Sequence, residues 1–269
     1  MKAVLVIFVF AALGVLGTGW LRDAPPAIAP FETVTVGKGK IAWRPLGNFS
    51  HQGKAQTPRP LTVMVETFEI MKYQVSRTDY ALCVAQGACA DVAANAGAFP
   101  QTGVSWEDAT AFAVWYSVRT GDIWRLPSET QWQRAAAERY GDAAPDESVL
   151  DPGKQMVSQY RRGVFLRSSA SPALRPRGGF GENSFGIADM AGSVWEWTDG
   201  CMENGEVRPD GTIDRRDPYC GVRIAGGRHR AAVIDFVRDA SVGGCAMGLP
   251  PDHLGFRLVR DADLRGDHR

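Results

Sequence analysis

Between residues 31 and 72 apolar and polar positions alternate with a period of two, clearest in Phe31-Glu-Thr-Val-Thr-Val36 and Leu61-Thr-Val-Met-Val-Glu-Thr-Phe-Glu-Ile70. That pattern predicts half-buried strands. The period then lengthens. Ala109, Phe112, Ala113 and Tyr116 share one face of a helix that Ser105 is placed to cap, and Thr120-Gly121 is placed to end it after about Arg119. Pro127-Ser128 opens a second helix, with Ser128 and Gln131 at capping-box spacing and Trp132, Ala135 and Ala136 toward the core. A shorter helix is expected after Ser76. From Gly141 to Gly181 periodicity fades among prolines, glycines and arginines, which predicts a long loop region. Trp195 to Thr198, Val222 to Ala225 and Gly255 to Val259 are suited to short strands between glycine-rich turns. Few helices, short strands and much irregular chain predict a compact α+β domain of low regular content.

Composition supports one sizeable domain: of 269 residues, 45% are hydrophobic and 22% charged. Lysine plus arginine and aspartate plus glutamate both number 30. With no net charge and no basic stripe, nucleic acid is not an expected partner.

The N-terminus reads differently. Lys2 precedes an apolar or small run from Ala3 to Gly17, followed by the charged, proline-rich Arg22 to Pro30. This is either a secretory segment cleaved near Gly17 or an uncleaved membrane anchor. Residues 1–30 are therefore assigned to a signal peptide or anchor and leader, 31–262 to the domain and 263–269 to a tail. A periplasmic or secreted location follows, membrane-anchored if the run is retained. In such a compartment the five cysteines are expected to pair. Cys83 and Cys89 bracket a short loop at a helix end and predict a local bridge. Cys201 and Cys220 enclose a polar loop, Met202 to Tyr219, expected to have little structure of its own and to gain order from a disulfide. Cys245, between glycines, is left over.

The densest run is Asp189-Met-Ala-Gly-Ser-Val-Trp-Glu-Trp197. Read as an extended segment, it places Trp195 and Trp197 on one face and Glu196 on the other, so Asp189 and Glu196 are candidates to hold a hard cation. The run resembles the G-N-V-W-E-W signature of the formylglycine-generating-enzyme, or sulfatase-modifying-factor, family. Other matches follow in the family's order: Tyr73 to Tyr80, Gly103 to Ala109, Arg125-Leu-Pro-Ser-Glu-Thr-Gln-Trp132, Gly226-Gly227 and Leu254-Gly-Phe-Arg257. The resemblance implies that family's fold, which is related to C-type lectin-like domains. It also implies a structural calcium held by the Asp189 and Glu196 side chains and the Gly192 and Val194 carbonyls. The other role for Glu196 is pairing with an arginine. A buried pair between Arg125 and Glu129 is expected as scaffold.

The copper-dependent members carry two cysteines after the double glycine as copper ligands and redox thiols. Counting from Gly227 puts Ala231 and Phe236 at those positions. Without thiolates the soft ligands that select Cu(I) are missing, so copper and formylglycine chemistry are not expected. The resemblance is to the periplasmic accessory type, an accessory or maturation factor for a secreted protein or metabolite. An oxidoreductase with a non-standard centre is the alternative, its catalytic candidates being Cys245, His229, Asp235 and Arg228. A calcium-stabilised ligand- or protein-binding module is the third reading. Trp195, Arg228 and Arg230 are the candidate pocket residues, where a cationic mouth would favour an acidic small molecule or peptide.

Overall fold

Each α-helix among the described residues starts on a serine that closes a reciprocal cap. The computed structural model describes residues 28, 30–92, 96–141, 173–192, 194–234, 236–237, 246–247 and 252–261. In α1 (Arg77–Ala85), Ser76 caps the Asp79 amide while the Asp79 carboxylate accepts from the Ser76 amide. Ser105 with Asp108 does the same for α2 (Trp106–Thr120), and Ser128 with Gln131 for α3 (Glu129–Ala136). Such a serine contributes about 1 kcal/mol to its helix. Gly121 ends α2 in the left-handed region at φ 78°, as the Thr120-Gly121 pair predicts.

The alternating N-terminal segment forms β1 (Thr33–Val36), β2 (Gly39–Trp43), β3 (Gly47–His51), β4 (Lys54–Ala55), β5 (Leu61–Val65) and β6 (Phe68–Met71). The run predicted from Leu61 to Ile70 is thus two strands, which join different sheets: β5 pairs with β2, and β6 lies between β1 and β13 (Val259–Asp261). The central sheet has the order β4, β3, β7 (Trp195–Val207), β8 (Ile213–Gly226), β9 (Arg230–Ile234), with β12 (Leu254–Gly255) running parallel to the start of β7. The short strands β10 (Phe236–Val237) and β11 (Ala246–Met247) form a separate parallel pair.

The largest departure from expectation is the segment between Cys201 and Cys220. It is a long β-hairpin, with Met202 opposite Tyr219 and pairing continued through Glu206 opposite Arg215. The ordering comes from a distant neighbour. β3 pairs in parallel with β7 from Gly47 opposite Glu203 to Ser50 opposite Glu206, and Phe49 lies against Gly205, leaving no room there for a Cβ. The ribbon therefore has a side-on partner that its polar sequence does not announce. Both expected bridges are present, Cys83–Cys89 and Cys201–Cys220.

Two cores flank this sheet. One gathers Tyr80, Phe112, Trp115, Tyr116, Trp124, Trp197 and Phe256, with Tyr80 and Phe112 stacked and Phe256 edge-on to both. Such pairs add roughly 0.5–1.5 kcal/mol each beyond area burial. The other packs Trp132 and Ala135 of α3 on Phe68, Ile70 and Val259. Among the described residues no helix is long and apolar enough to cross a membrane. The N-terminal run, most of the Gly141 to Gly181 region and the 263–269 tail lie outside the described residues.

Candidate functional site

Glu196 lies on β7 opposite Gly226 of β8 and beside Gly255 of β12, fully buried between the two cores. A lone carboxylate in that position would cost several kcal/mol. It meets four donors instead. Arg257 Nε and Nη2 reach its two oxygens at 2.7 Å each, Gln74 Nε2 donates to Oε1 at 2.8 Å, and Trp132 Nε1 donates to Oε2 at 2.9 Å. The rest of the guanidinium is spent on backbone carbonyls: Nη1 on Met71 and Lys72, and Nη2 on Ala188. Every N–H of Arg257 and every lone-pair direction of Glu196 is thereby used.

These contacts take up the Glu196 side chain on which the calcium expectation relies. The Asp189 carboxylate is also engaged, accepting from the amides of Gly178 at 2.7 Å and Phe180 at 2.8 Å. Asp189 has φ 60°, a left-handed conformation that aspartate tolerates better than most residues. Gly192 donates its amide to the Asp189 carbonyl, and Val194 is buried at the entry to β7. Both carboxylates face N–H donors, so a hard cation between them would meet positive hydrogens. The set Asp189, Gly192, Val194 and Glu196 does not fit calcium, and Glu196 takes its other expected role, with an arginine. No cluster of three or more His, Cys, Asp or Glu suited to a metal occurs among the described residues.

The pocket residues assemble around the double glycine. A Cβ on Gly226 would lie 2.3 Å from the Trp132 ring, and one on Gly227 would lie 2.9 Å from Trp195. Two indoles thus require the two glycines. The Gly227 amide donates to the His229 carbonyl at 2.9 Å, turning the chain so that the His229 ring stands edge to face on Trp195, centroids 4.7 Å apart. His229 Nδ1 is 2.9 Å from the Arg230 carbonyl, which can only accept. In the neutral ring Nδ1 therefore carries the hydrogen and Nε2 the lone pair. Nε2 is buried and meets no hydrogen-bond partner among the described residues.

Arg228, His229 and Arg230 do not form the expected cationic mouth. Arg228 is exposed, but Arg230 turns inward and donates to Glu129 Oε2 at 3.0 Å and to the Arg44 carbonyl. The Arg230 and Glu129 side chains are only 7% and 8% exposed, and burial pushes the Glu129 carboxyl up against the pull of Arg230. The expected Arg125–Glu129 pair is accordingly replaced. Arg125 is held by an isolated bridge to Val259 and extends to Asp261 at 2.6 Å and to Gln131 at 2.8 Å. Ala231, at the first family cysteine position, pairs with Ala225 within the sheet; Phe236, at the second, is in β10. Cys245 and Asp235 lie outside the described residues.

Residues 26–262 match the model of the sulfatase-modifying factor enzyme 1-like domain. The chain belongs to that family. It is 30% identical over 199 residues to a formylglycine-generating enzyme of Mycobacterium tuberculosis, covering 65% of this chain and 61% of that one. It is 28% identical over 174 residues to the inactive C-alpha-formylglycine-generating enzyme 2 of Bos taurus, covering 61% of this chain and 51% of the relative. The chain of this sulfatase-modifying-factor member therefore spans between half and two thirds of these relatives. Among solved structures, PvdO from Pseudomonas aeruginosa superposes with a TM-score of 0.51 at 18% identity, over 86% of this chain and 94% of that one. Treponema denticola variable protein 1 reaches 0.51 at 14% identity, over 85% and 94%. These two likenesses speak to the fold alone.

Proposed function

We propose that this family member does not generate formylglycine and acts as an accessory or maturation factor. Its partner is a secreted or periplasmic protein or small molecule, met at the face formed by Trp195, Arg228 and His229. The observation that carries the reading is Ala231: a methyl group paired within β9 stands where the copper-dependent members place a thiolate, and Phe236 stands at the second position. A soft-metal site has lost its ligands there. Arg230, a candidate pocket residue for an anionic substrate, is paired with Glu129. The inactive Bos taurus relative supports the reading, since this family contains members without the activity. The apolar run from Ala3 to Gly17 supports export.

The test is direct. The purified chain is loaded with Cu(I) and given a cysteine peptide that the mycobacterial relative converts, with that relative as positive control. Aldehyde is captured with an aminooxy probe. No aldehyde above the metal-only background is expected; turnover by the wild-type chain would overturn the reading. One observation favours the oxidoreductase alternative, namely the buried lone pair of His229 Nε2. That alternative predicts redox turnover lost in both Cys245→Ser and His229→Gln.

A further inference from the structure

The two disulfides have opposite surroundings. Cys83 and Cys89 are 0% and 9% exposed and belong to the aromatic core with Tyr80 and Phe112. Cys201 is half-buried and Cys220 is exposed. The second bridge also lies where the β7–β8 register slips: Trp197 faces Ala225, Cys201 faces Arg223, and Met202 faces Tyr219. Residues 220–222 of β8 thus fall between two successive register partners of β7, so Cys220 is not held within an unbroken ladder.

A fixed cation adjoins one sulfur of this bridge. Arg223 Nη1 donates to Cys201 Sγ at 3.2 Å, and its guanidinium stands 3.6 Å from the centre of the Trp106 ring. Trp106 is anchored in turn, its Nε1 donating to the Thr198 carbonyl at 2.9 Å. Stacked on a tethered indole, the guanidinium is positioned to stabilise negative charge on Cys201. Cations beside a cysteine lower its thiol pKa, and a disulfide opens faster when the departing sulfur has the lower pKa.

We propose that Cys201–Cys220 is a thiol–disulfide exchange site for a dithiol partner protein, with Cys220 attacked and Cys201 departing. The first partner thiolate attacks Cys220 Sγ. A partner–Cys220 bond forms as the Cys201–Cys220 bond breaks, and the electron pair leaves on Cys201 as a thiolate held by Arg223. The partner's second thiolate then attacks its own sulfur in the mixed disulfide. Cys220 departs as a thiolate and takes a proton from water. Two electrons pass to this chain, and the partner is left as a disulfide. Tyr219, 45% exposed beside Cys220, supplies apolar contact for the incoming protein.

The test uses glutathione as a monothiol probe on the folded Cys245→Ser chain, which removes the fifth cysteine. After brief exposure near pH 7, below the usual thiol pKa of about 8.5, the sample is quenched with acid and alkylated, and its peptides are mapped. Glutathione on Cys220, alkylation on Cys201 and an intact Cys83–Cys89 bridge are expected, with tryptophan fluorescence unchanged. Arg223→Met should open the bridge roughly three- to tenfold more slowly, with Arg223→Lys in between. Glutathione found on Cys201, both bridges opening together as the protein unfolds, or an unchanged rate in Arg223→Met would each overturn the proposal. The site mapping requires no Arg223 variant, so it stands even if Arg223→Met misfolds.

Discussion

Replacing Arg257 with Met strips the buried Glu196 carboxylate of two charge-assisted hydrogen bonds and removes one donor from each of the carbonyls of Met71, Lys72 and Ala188. Both side chains are 0% exposed, so water cannot take over those contacts without opening the core. Removing one partner of such a pair costs about 3–5 kcal/mol, which for a domain of this size is roughly 6–20 °C of melting temperature. Gln74 and Trp132 still donate to Glu196, which argues for the lower half of that range. Denaturant unfolding followed by tryptophan fluorescence measures the loss. Adding Glu196→Gln to Arg257→Met should restore about 1–3 kcal/mol by removing the stranded charge. The wild-type melt should be indifferent to calcium or a chelator, because Arg257 already supplies the positive charge at Glu196. A loss below about 1 kcal/mol, or a wild-type melt raised several degrees by calcium, would refute the assignment of this carboxylate to Arg257.

Gly226→Ala drives a Cβ into the Trp132 ring, and a loss of about 1–3 kcal/mol is expected in the same unfolding assay. The Glu129 carboxyl is raised by burial, so the folded state binds its proton more tightly than the unfolded chain. Its contribution is complete below the unfolded pKa and is lost as pH rises through the folded one. Relative to Glu129→Gln, wild-type stability should therefore fall as pH climbs through and just above the carboxylate range, then level off. A difference that grows with pH would contradict this sign. Substituting Trp195 with Ala removes the ring that supports His229 and should weaken partner binding with little effect on the helices, as checked by calorimetry and circular dichroism.

The helices were legible because their signals are local. A serine cap, its partner three residues on and an apolar stripe all lie within one short window, as in Ser105, Asp108, Ala109 and Phe112. The β7–β8 hairpin was not, because its strands are polar and its order depends on β3, more than 150 residues earlier. The Glu129 partner was misread for a related reason. Arg125 is near in sequence, but its backbone is tied to Val259 and its side chain is spent on Gln131 and Asp261, while Glu129 pairs with Arg230, 101 residues away. Trp195 and His229 were both singled out from sequence. Their contact depends on Gly227 and could not be read from either residue alone.

The cation that the Asp189 to Trp197 run calls for does exist, and the chain supplies it from 61 residues downstream. Its trace in sequence is Arg257 itself, a single charge inside Leu254-Gly-Phe-Arg-Leu-Val259, where an unpaired guanidinium would be costly. The buried carboxylate and the buried guanidinium satisfy one another directly. The pairing also explains why both motifs occur together. β12 lies parallel to β7, so Gly255 faces Glu196, and two residues further on Arg257 meets that carboxylate. A change in either motif should therefore loosen the junction of β7, β12 and α3 on which Trp195 and the double glycine stand.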